Sequence, residues 1–430
     1  MSDDARVARG GSGSAAVSPV GIVAGPTTAE LFVTFLVIGA SAFGMAIMQS
    51  IRSIPVKRGW LSREEIDEGF GLVQLYPGAL MVDLVAYIGY RMRRVRGALA
   101  AVAGFVTPSL VLLLGLSWAY FTYGAHPEVR NLLVGLDALV VGVLINVAAD
   151  FGSQHARDAI ASIVAIGAFA LAVAGANVLW AVLGGFAVGA LAWRQPTPAS
   201  IGSLESKVSV SPNPVDTSAA ELDAAWRFSW RRLAWASVPG LIVLAIAMIA
   251  AFESGALAAV TADMSKIGAV AFGNGTAIMP ILQQDSVAHH WLTVSQFSAG
   301  VGFGQVTPGP FLSTAAFVGF AASGWWGGIA AGVAIYAPSV AMTMVVAEIY
   351  PLVRRLRFVR GAIKGVMAAF TGLLAYMVLV LARPVLPVSA AIVLAAAAFV
   401  AVRTLKWSTI VVFAAGLIVW GVYLAAGGAT

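Results

Sequence analysis

QLYPGA at residues 74–79 and QVTPGP at residues 305–310 repeat one glutamine-x-x-proline-glycine pattern at two points about half the chain apart. Both stretches interrupt long apolar runs. Proline removes a backbone donor and clashes with the preceding helical turn, and glycine permits turns that other residues resist. Such a break costs helix hydrogen bonds. Its occurrence at two corresponding points therefore predicts that the breaks have a function.

The composition is that of a protein embedded in lipid. Of its 430 residues, 60% are hydrophobic and 11% are charged, whereas soluble domains carry about 25% charged residues. The continuous apolar runs favour helices of about 20 residues that cross the bilayer. The runs lie near 31–51, 66–90, 97–121, 131–149, 158–174, 177–193, 233–252, 262–282, 295–321, 325–349, 362–382, 386–402 and 409–428. We predict an all-α polytopic membrane protein with about 10–13 transmembrane segments.

The chain contains two copies of one unit, because a series of landmarks recurs at an offset of 229 to 231 residues. Chance similarity between apolar segments does not hold register over such a series. The landmarks are AFG at 42–44 and 271–273, WLS or WLT at 60–62 and 291–293, the two proline-glycine breaks, IGY or VGF at 88–90 and 318–320, PS at 108–109 and 338–339, and Gly135 with Gly365.

Loop charges predict that the two repeats are inverted. Loops 52–65 and 91–96 each carry four Lys or Arg, and the corresponding second-half loops carry none; later loop pairs show the opposite bias. Basic residues flank both ends of 66–90, which favours a re-entrant hairpin. If both breaks form hairpins, inversion requires that 233–252 does not cross fully. If both segments span, inversion follows directly, but Lys57 and Arg58 then lie outside.

The polar stretches divide the chain into five parts. We predict a disordered tail at 1–29, a first membrane repeat at 30–194, a polar linker at 195–230, a connecting segment at 231–258 and a second repeat at 259–430. The tail has no compact basic region leading into a short apolar core, so we expect no cleaved signal peptide.

The breaks predict an anion site near the middle of the membrane. A half-helix that begins at a break directs its N–H groups into a cavity and favours negative charge. Glutamine amides and a threonine hydroxyl would add donors. In each repeat, a second break that contains glycine lies upstream of the proline-glycine break. The predicted substrate-binding residues are Gln74, Pro77, Gly78, Gln305, Thr307, Pro308 and Gly309, with Gly44, Gly273, Asn274 and Gly275.

Charged residues near these runs give further candidates. Arg52 and Arg91 lie closest to the apolar ends and are the predicted capture residues, since arginine holds an oxyanion with two parallel bonds. Asp83 and Asp137 lie deepest in apolar runs, so we expect them to carry protons or to pair with arginine. Lys364 is a further coupling or ion-pair candidate, with snorkelling to the interface as the alternative.

Several function classes are disfavoured. The chain has no cysteine, and none of its four histidines has a metal-ligand partner at helical spacing, so we expect no metal and no cofactor. The net charge of +6 lies in short loops, as topology signals do, and does not indicate nucleic acid. No phosphate-binding loop appears, which disfavours ATP coupling. A lipid-modifying enzyme would have to use Asp150, His155 and Asp158, which we interpret as a loop.

The assembled motifs resemble the chromate ion transporter family across most of residues 30–385. They stand in the first half as AFGMAIM, WLSREEIDEGFGLVQLYPG, YIGY and RGALAAVAGFVTPS, and in the second as AFGNGTAIMP, WLTVSQFSAGVGFGQVTPGP, FVGF and WGGIAAGVAIYAPS. The resemblance implies a multi-pass inner-membrane carrier that expels chromate, with sulfate as a look-alike substrate. It also implies that the FG and PG segments of both halves act in transport.

The chain departs from the family pattern at Met45, Ala46, Ala79 and Asn274, all near the predicted site. A carrier for a different inorganic anion, or an anion channel of the same architecture, is therefore the alternative. The expected partners are an inorganic oxyanion and the lipid bilayer, and a homodimer is left open.

Overall fold

The computed structural model describes residues 25–41, 45–124, 126–193, 229–253, 255–271, 275–353 and 357–428. All regular structure in these ranges is helical, which confirms the predicted all-α class. Most of the predicted tail and linker, together with Gly44, Gly273 and Asn274, lies outside the described residues.

The first repeat contributes seven of the described helices. They are α1 (Thr28–Ser41), α2 (Met45–Lys57), α3 (Arg63–Leu72), α4 (Leu80–Tyr123), α5 (Pro127–His155), α6 (Ala159–Val173) and α7 (Val178–Ala192).

One connecting helix and eight further α-helices follow in the described part of the chain. They are α8 (Trp230–Phe252), α9 (Ala256–Ala269), α10 (Met279–Ala288), α11 (Val294–Val306), α12 (Ala315–Ala334), α13 (Ala337–Val353), α14 (Arg357–Ala382), α15 (Ser389–Arg403) and α16 (Thr409–Ala425). Two short 3₁₀ helices, Thr276–Ile278 and Phe311–Thr314, precede α10 and α12.

Helix length and composition agree with a multi-pass membrane protein. Five helical stretches among the described residues are long and apolar enough to cross a bilayer, and five further apolar helices are shorter. The five long stretches are Leu80–Tyr123, Val129–His155, Trp230–Ala250, Phe311–Ile349 and Gly361–Ala382.

Each repeat begins with a hairpin of two short helices. Arg58 donates from Nη1 to the Thr34 hydroxyl at 2.8 Å, although 24 residues separate them. A straight helix would hold them about 36 Å apart, so the chain reverses between α1 and α2. The second repeat makes the same reversal, because Asp263 of α9 lies 3.3 Å from His289, which follows α10.

A second hairpin follows in each repeat and turns at the proline-glycine break. A Cβ on Gly69 of α3 would overlap the ring of Tyr87 in α4, and Arg91 pairs with Glu65 at 2.5 Å. In the second repeat, a Cβ on Gly300 of α11 would lie 2.5 Å from the Phe317 ring. Both breaks are therefore tips of re-entrant hairpins, which is one of the two arrangements that the sequence left open.

α4 and α12 each contain a sharp turn at corresponding positions. Arg94 has φ 54° and ψ −144°, and Gly324 has φ 60° and ψ −149°. The helix folds back so tightly that a Cβ on Gly89 would overlap the Gly97 carbonyl, and a Cβ on Gly319 would overlap that of Gly327. Each turn joins the return arm of a hairpin (80–92 or 315–322) to a long arm that begins at 95 or 325.

Contacts at the two ends of these long arms show that they are antiparallel. Arg94 pairs with Glu348 at 2.7 Å, so the first arm begins where the second arm, continued by α13, ends. Phe121 stacks on Phe320 with centroids 5.8 Å apart, so the first arm ends where the second begins. We call these the basic end, defined by Arg58, Arg91 and Arg94, and the aromatic end, defined by Phe121, Phe317 and Phe320.

The connecting helix α8 reconciles the hairpins with inversion. Arg232, at its start, lies 3.4 Å from Glu348 at the basic end. Because α8 is long and apolar enough to cross a bilayer, α9 begins at the opposite, aromatic end. Each repeat has two hairpins and four end-to-end helices, counted over the described residues, so the chain returns to its starting end. The single pass of α8 then inverts the second repeat. The run 31–51, which looks like one span, is part of the first hairpin.

Candidate functional site

The two hairpin tips exchange partners between the repeats. A Cβ on Gly309, in the second tip, would lie 3.0 Å from the Cβ of Ser109 in the first repeat's long arm. A Cβ on Gly78, in the first tip, would lie 3.3 Å from the Cβ of Ser339 in the second repeat. The PG breaks and the PS pairs, which the sequence shows only as separate landmarks, thus form two related half-sites.

The first hairpin is fixed by a capping box at its mouth and by crowding at its tip. Ser62 and Glu65 form a capping box that starts α3. After α3 ends, Gly78 lies so close to Asp83 that a Cβ would overlap its carboxylate, which explains why glycine is needed there. No side chain caps the start of α4, so its first N–H groups have no side-chain acceptor.

The second hairpin is built in the same way, but its tip turns through a left-handed residue. Thr293 and Gln296 form the capping box of α11. Gly309 has φ 103°, a conformation that side chains of L-residues rarely adopt. The 3₁₀ helix Phe311–Thr314 that follows has no side-chain cap, so a second set of amide groups starts at this tip.

A closed network of hydroxyls lies under the second tip. Ser313 is 1% exposed and hydrogen-bonds to the Ser109 hydroxyl at 2.8 Å and to the Tyr336 hydroxyl at 3.0 Å. These three residues come from both repeats. All three hydroxyls therefore have partners although they are buried, as buried polar groups require.

The corresponding network under the first tip contains a carboxylate. Tyr76 hydrogen-bonds to Thr343 at 2.6 Å, and Thr343 and Ser339 donate to carbonyls within α13. Asp83 corresponds to Ser313 at the repeat offset and is fully buried. Neither of its carboxylate oxygens has a hydrogen-bond partner among the described residues.

The other predicted donors at the tips differ in exposure. Gln74 is exposed and Gln305 is half-buried, each three residues before its proline. Thr307 is buried, and its hydroxyl donates to the Phe303 carbonyl at 3.0 Å, so it closes α11. Pro77 and Pro308 are both partly buried between these residues and the tip glycines.

The first hairpin of the second repeat contacts its PG tip. Gly275 has φ 84°, and a Cβ there would lie 3.0 Å from the Leu312 side chain. Gly44, Gly273 and Asn274, the other predicted residues of this pair of breaks, lie outside the described residues.

Arg52 and Arg91 lie at the basic end, away from the tips. Arg52 pairs with Asp67 at 2.5 Å and Arg91 with Glu65 at 2.5 Å. Arg91 is eleven residues beyond the start of α4, which corresponds to about 16 Å along the helix. The structure therefore places both arginines at the mouth of the hairpin and not beside the tip.

Asp137 and Lys364 lie outside both half-sites. Asp137 is 4% exposed and accepts from Ser295 at 2.8 Å. Lys364 donates to Asp158 at 2.6 Å and lies 4.3 Å from the Trp193 ring centroid. Partial burial raises the pKa of Asp158, but the hydrogen bonds from Lys364 and from the Ala161 N–H outweigh it and hold the pKa below its usual value.

A charged cluster joins the repeats at the basic end, and no sequence pattern indicates that its members meet. Glu348 is 1% exposed, pairs with Arg94 and accepts from the Tyr90 hydroxyl at 2.8 Å, with Arg232 at 3.4 Å. We call these four residues the Glu348 cluster. At the aromatic end the repeats are joined by aromatic rings instead. The centroid of the Tyr120 ring lies 5.3 Å from that of Phe317 and 5.9 Å from that of Phe303.

No group of three or more His, Asp or Glu side chains that could hold a metal ion occurs within the described ranges. Both half-sites consist instead of hydroxyls, backbone amides and one carboxylate. Amides at uncapped helix starts bind anions, and hydroxyls donate or accept. The amides of this set suit a small oxyanion, and the carboxylate does not.

Comparison with known proteins agrees with the repeats. A family model described as "Chromate transporter" matches residues 29–190 and 258–421. The chain is 27% identical over 349 residues to a chromate transport protein of Cupriavidus metallidurans, covering 80% of each chain. It is 27% identical to a probable chromate transport protein of Synechococcus elongatus, covering 78% of this chain and 80% of the relative. No solved structure matches the chain.

Proposed function

The chain belongs to the chromate transporter family, and on that premise we propose that it is a secondary carrier that exports chromate and also recognises sulfate. Membership supports a chromate transport role, and it agrees with a multi-pass membrane protein that is not an enzyme.

One observation carries the choice of site, namely the exchange of partners between the tips. Gly78 packs on Ser339 and Gly309 on Ser109, so each tip is completed by the other repeat. A substrate held there touches both repeats at once. Relative movement of the repeats then changes the end of the protein from which the substrate can leave, as carriers with inverted repeats require.

The anion is held mainly by backbone groups in this proposal. The uncapped starts of α4 and of Phe311–Thr314 supply N–H donors and the positive ends of helix dipoles. Gln74 and Gln305 add amide donors at the two tips. Arg52 and Arg91 act earlier, by attracting the anion to the mouth of the first hairpin at the basic end.

Contacts between the repeats at both ends favour a carrier over an open channel. The Glu348 cluster joins the repeats at the basic end, and the rings of Tyr120, Phe121, Phe317 and Phe320 join them at the aromatic end. Alternating access would break one of these contacts at a time. The positive-inside rule places the basic end in the cytoplasm of a cell whose inner membrane holds the protein.

Uptake of labelled chromate into inside-out membrane vesicles tests the proposal. Export from the cell appears as uptake into these vesicles, and we expect it to saturate and to be inhibited by excess sulfate. Gln305→Ala should lower uptake at least tenfold by removing a tip donor. Gln154→Ala, the same change at an exposed position near the end of α5, is the matched control and should leave uptake unchanged.

Two results would contradict the proposal. Uptake no higher than in empty vesicles would remove chromate as the substrate and direct attention to Met45, Ala79 and Asn274. Uptake that neither saturates nor exchanges with unlabelled chromate inside the vesicles would favour the channel.

A further inference from the structure

Asp83 is a buried carboxylate that takes no part in holding the anion. It lies in the first turn of α4, is 0% exposed, and touches the tip glycine so closely that a Cβ on Gly78 would overlap it. Its position at the tip places a potential negative charge beside the site proposed for an anion. A carboxylate there would repel a dianion unless it is neutralised.

The groups around Asp83 do not supply a counter-ion. Ser339 and Thr343 of α13 face it with hydroxyls, but both donate to helix carbonyls. Tyr76 of the tip is the titratable group that faces it, and its hydroxyl is bonded to Thr343. No Lys, Arg or His pairs with Asp83 within the part of the chain that the structure describes, and both its oxygens lack a donor.

The other half-site shows that the fold does not need a charge at this position. Ser313 occupies the corresponding place, and its hydroxyl is bonded to Ser109 and Tyr336. The same tip is therefore built with a neutral, fully bonded side chain in one repeat. The carboxylate in the other repeat calls for a role other than packing.

We propose that Asp83 is a proton-binding site and that one proton bound there accompanies each anion through the protein. This inference rests on the proposed anion transport. A buried carboxylate without a counter-ion is strongly disfavoured in a medium of low dielectric constant, and accepting a proton removes the cost. The proton bonds to a carboxylate oxygen when the site is open to water at one end, and it returns to water at the other.

Coupling follows from electrostatics. With Asp83 ionised, its carboxylate repels the dianion at the tip, so the anion does not bind. With Asp83 protonated, the tip presents the uncapped amides of α4 and no negative charge, and the dianion binds. Proton and anion thus bind together and move in the same direction. One proton leaves one net negative charge on the bound dianion, so the inside-negative membrane potential drives the pair out of the cell, and a proton gradient imposed across a liposome drives it down that gradient.

Purified full-length protein in liposomes provides the test. Labelled chromate uptake is measured with and without an inward proton gradient, while a pH dye inside the liposomes reports proton movement. The gradient should raise chromate uptake by the wild-type protein at least fivefold, and about one proton should enter the liposomes with each anion. In Asp83→Asn the ratio of uptake with and without the gradient should fall to about one. Chromate itself binds a proton near neutrality, so variants are compared at the same pH values.

Asp150→Asn is the matched control, because it removes an exposed carboxylate that pairs with Arg403 at the basic end. It should keep the wild-type response. If Asp83→Asn transports no anion, a second measurement tests the inference. Chromate is added to detergent-solubilised protein in weak buffer, and the protons that the protein takes up are counted. The wild-type protein should take up more protons than Asp83→Asn at equal thermal stability.

Three results would overturn the inference. Asp83→Asn could transport and keep the gradient response, in which case the proton binds elsewhere while the anion carrier stands. A response to a sodium gradient in place of the proton gradient, lost in Asp83→Asn, would make the position a sodium site. A wild-type protein that moves no anion removes the proposed function and this inference with it.

Discussion

Arg94 and Glu348 form a 2.7 Å ion pair that joins the turn of one repeat to the end of the long arm of the other. The Glu348 side chain is completely buried, and half of the Arg94 side chain is exposed. Arg94 adopts a positive φ, which its counterpart Gly324 also adopts. The contact between the repeats therefore depends on Arg94, a residue whose backbone conformation costs energy.

Glu348→Gln should destabilise the protein. The change leaves Arg94, Arg232 and the Tyr90 hydroxyl without the carboxylate. Breaking a buried ion pair costs about 3–5 kcal/mol, but both arginines retain contact with solvent, so we expect about 1–3 kcal/mol. The measurement is the Tm of the purified protein in detergent. Asp150→Asn, which breaks the exposed pair with Arg403, should cost at most about 1 kcal/mol; equal losses for the two variants would argue against a special role for the Glu348 cluster.

Gly309→Ala should destabilise the second tip. At φ 103° an alanine is strained, and its Cβ would lie 3.0 Å from Ser109, so we expect a loss of about 1–2 kcal/mol and reduced chromate transport. Gly115 of α4 has open space around it and an ordinary helical φ. Gly115→Ala is therefore the control, and it should be neutral or stabilise by up to about 1 kcal/mol. Tm and transport are measured on both variants.

Much of this architecture could be predicted from the sequence, because duplication and loop charge are local signals. The loops on both sides of the first PG break are basic and those around the second lack Lys and Arg, which indicated hairpins. The opposite distribution of Lys and Arg over the loops of the two repeats indicated inversion. The run 31–51 was harder, since α1 and α2 together have the apolar length of one span. The contact between Arg58 and Thr34 shows that the chain turns back. That hairpin also removes the apparent conflict between re-entrant breaks and a crossing by α8.

The composition of the half-sites was less accessible to sequence reasoning. Ser109 and Ser339 stood out only as repeat landmarks, and nothing local shows that each lies under the tip of the other repeat. Tyr76, Thr343 and Tyr336 have no repeated counterparts of the same type. Asp83 was found because an acid deep in an apolar run is unusual, although its lack of a partner is visible only in three dimensions.

The ion pair of Asp158 with Lys364 should make a small, pH-dependent contribution to stability. The folded state holds the pKa of Asp158 below its usual value. The contribution is therefore present above the ordinary aspartate pKa and is lost as the pH falls through the lower folded value. Because both side chains are substantially exposed, about 39% and 45%, we expect at most about 1 kcal/mol. Lys364→Gln should lower Tm at pH 7 by more than at pH 3. A loss that does not change with pH would assign the effect to the Trp193 contact instead.

Single cysteines should report opposite sides of the membrane at corresponding positions of the two repeats. The chain has no cysteine of its own, so each introduced thiol is unique. Lys57 at the end of α2 and Ala288 at the end of α10 are both exposed and differ by the repeat offset of 231 residues. Because α8 crosses once between repeats with an even number of passes, Ala288→Cys should react with a membrane-impermeant maleimide added to spheroplasts, and Lys57→Cys should react only after permeabilisation. Labelling of both from the same side would contradict the inverted arrangement, whatever the transported substrate is.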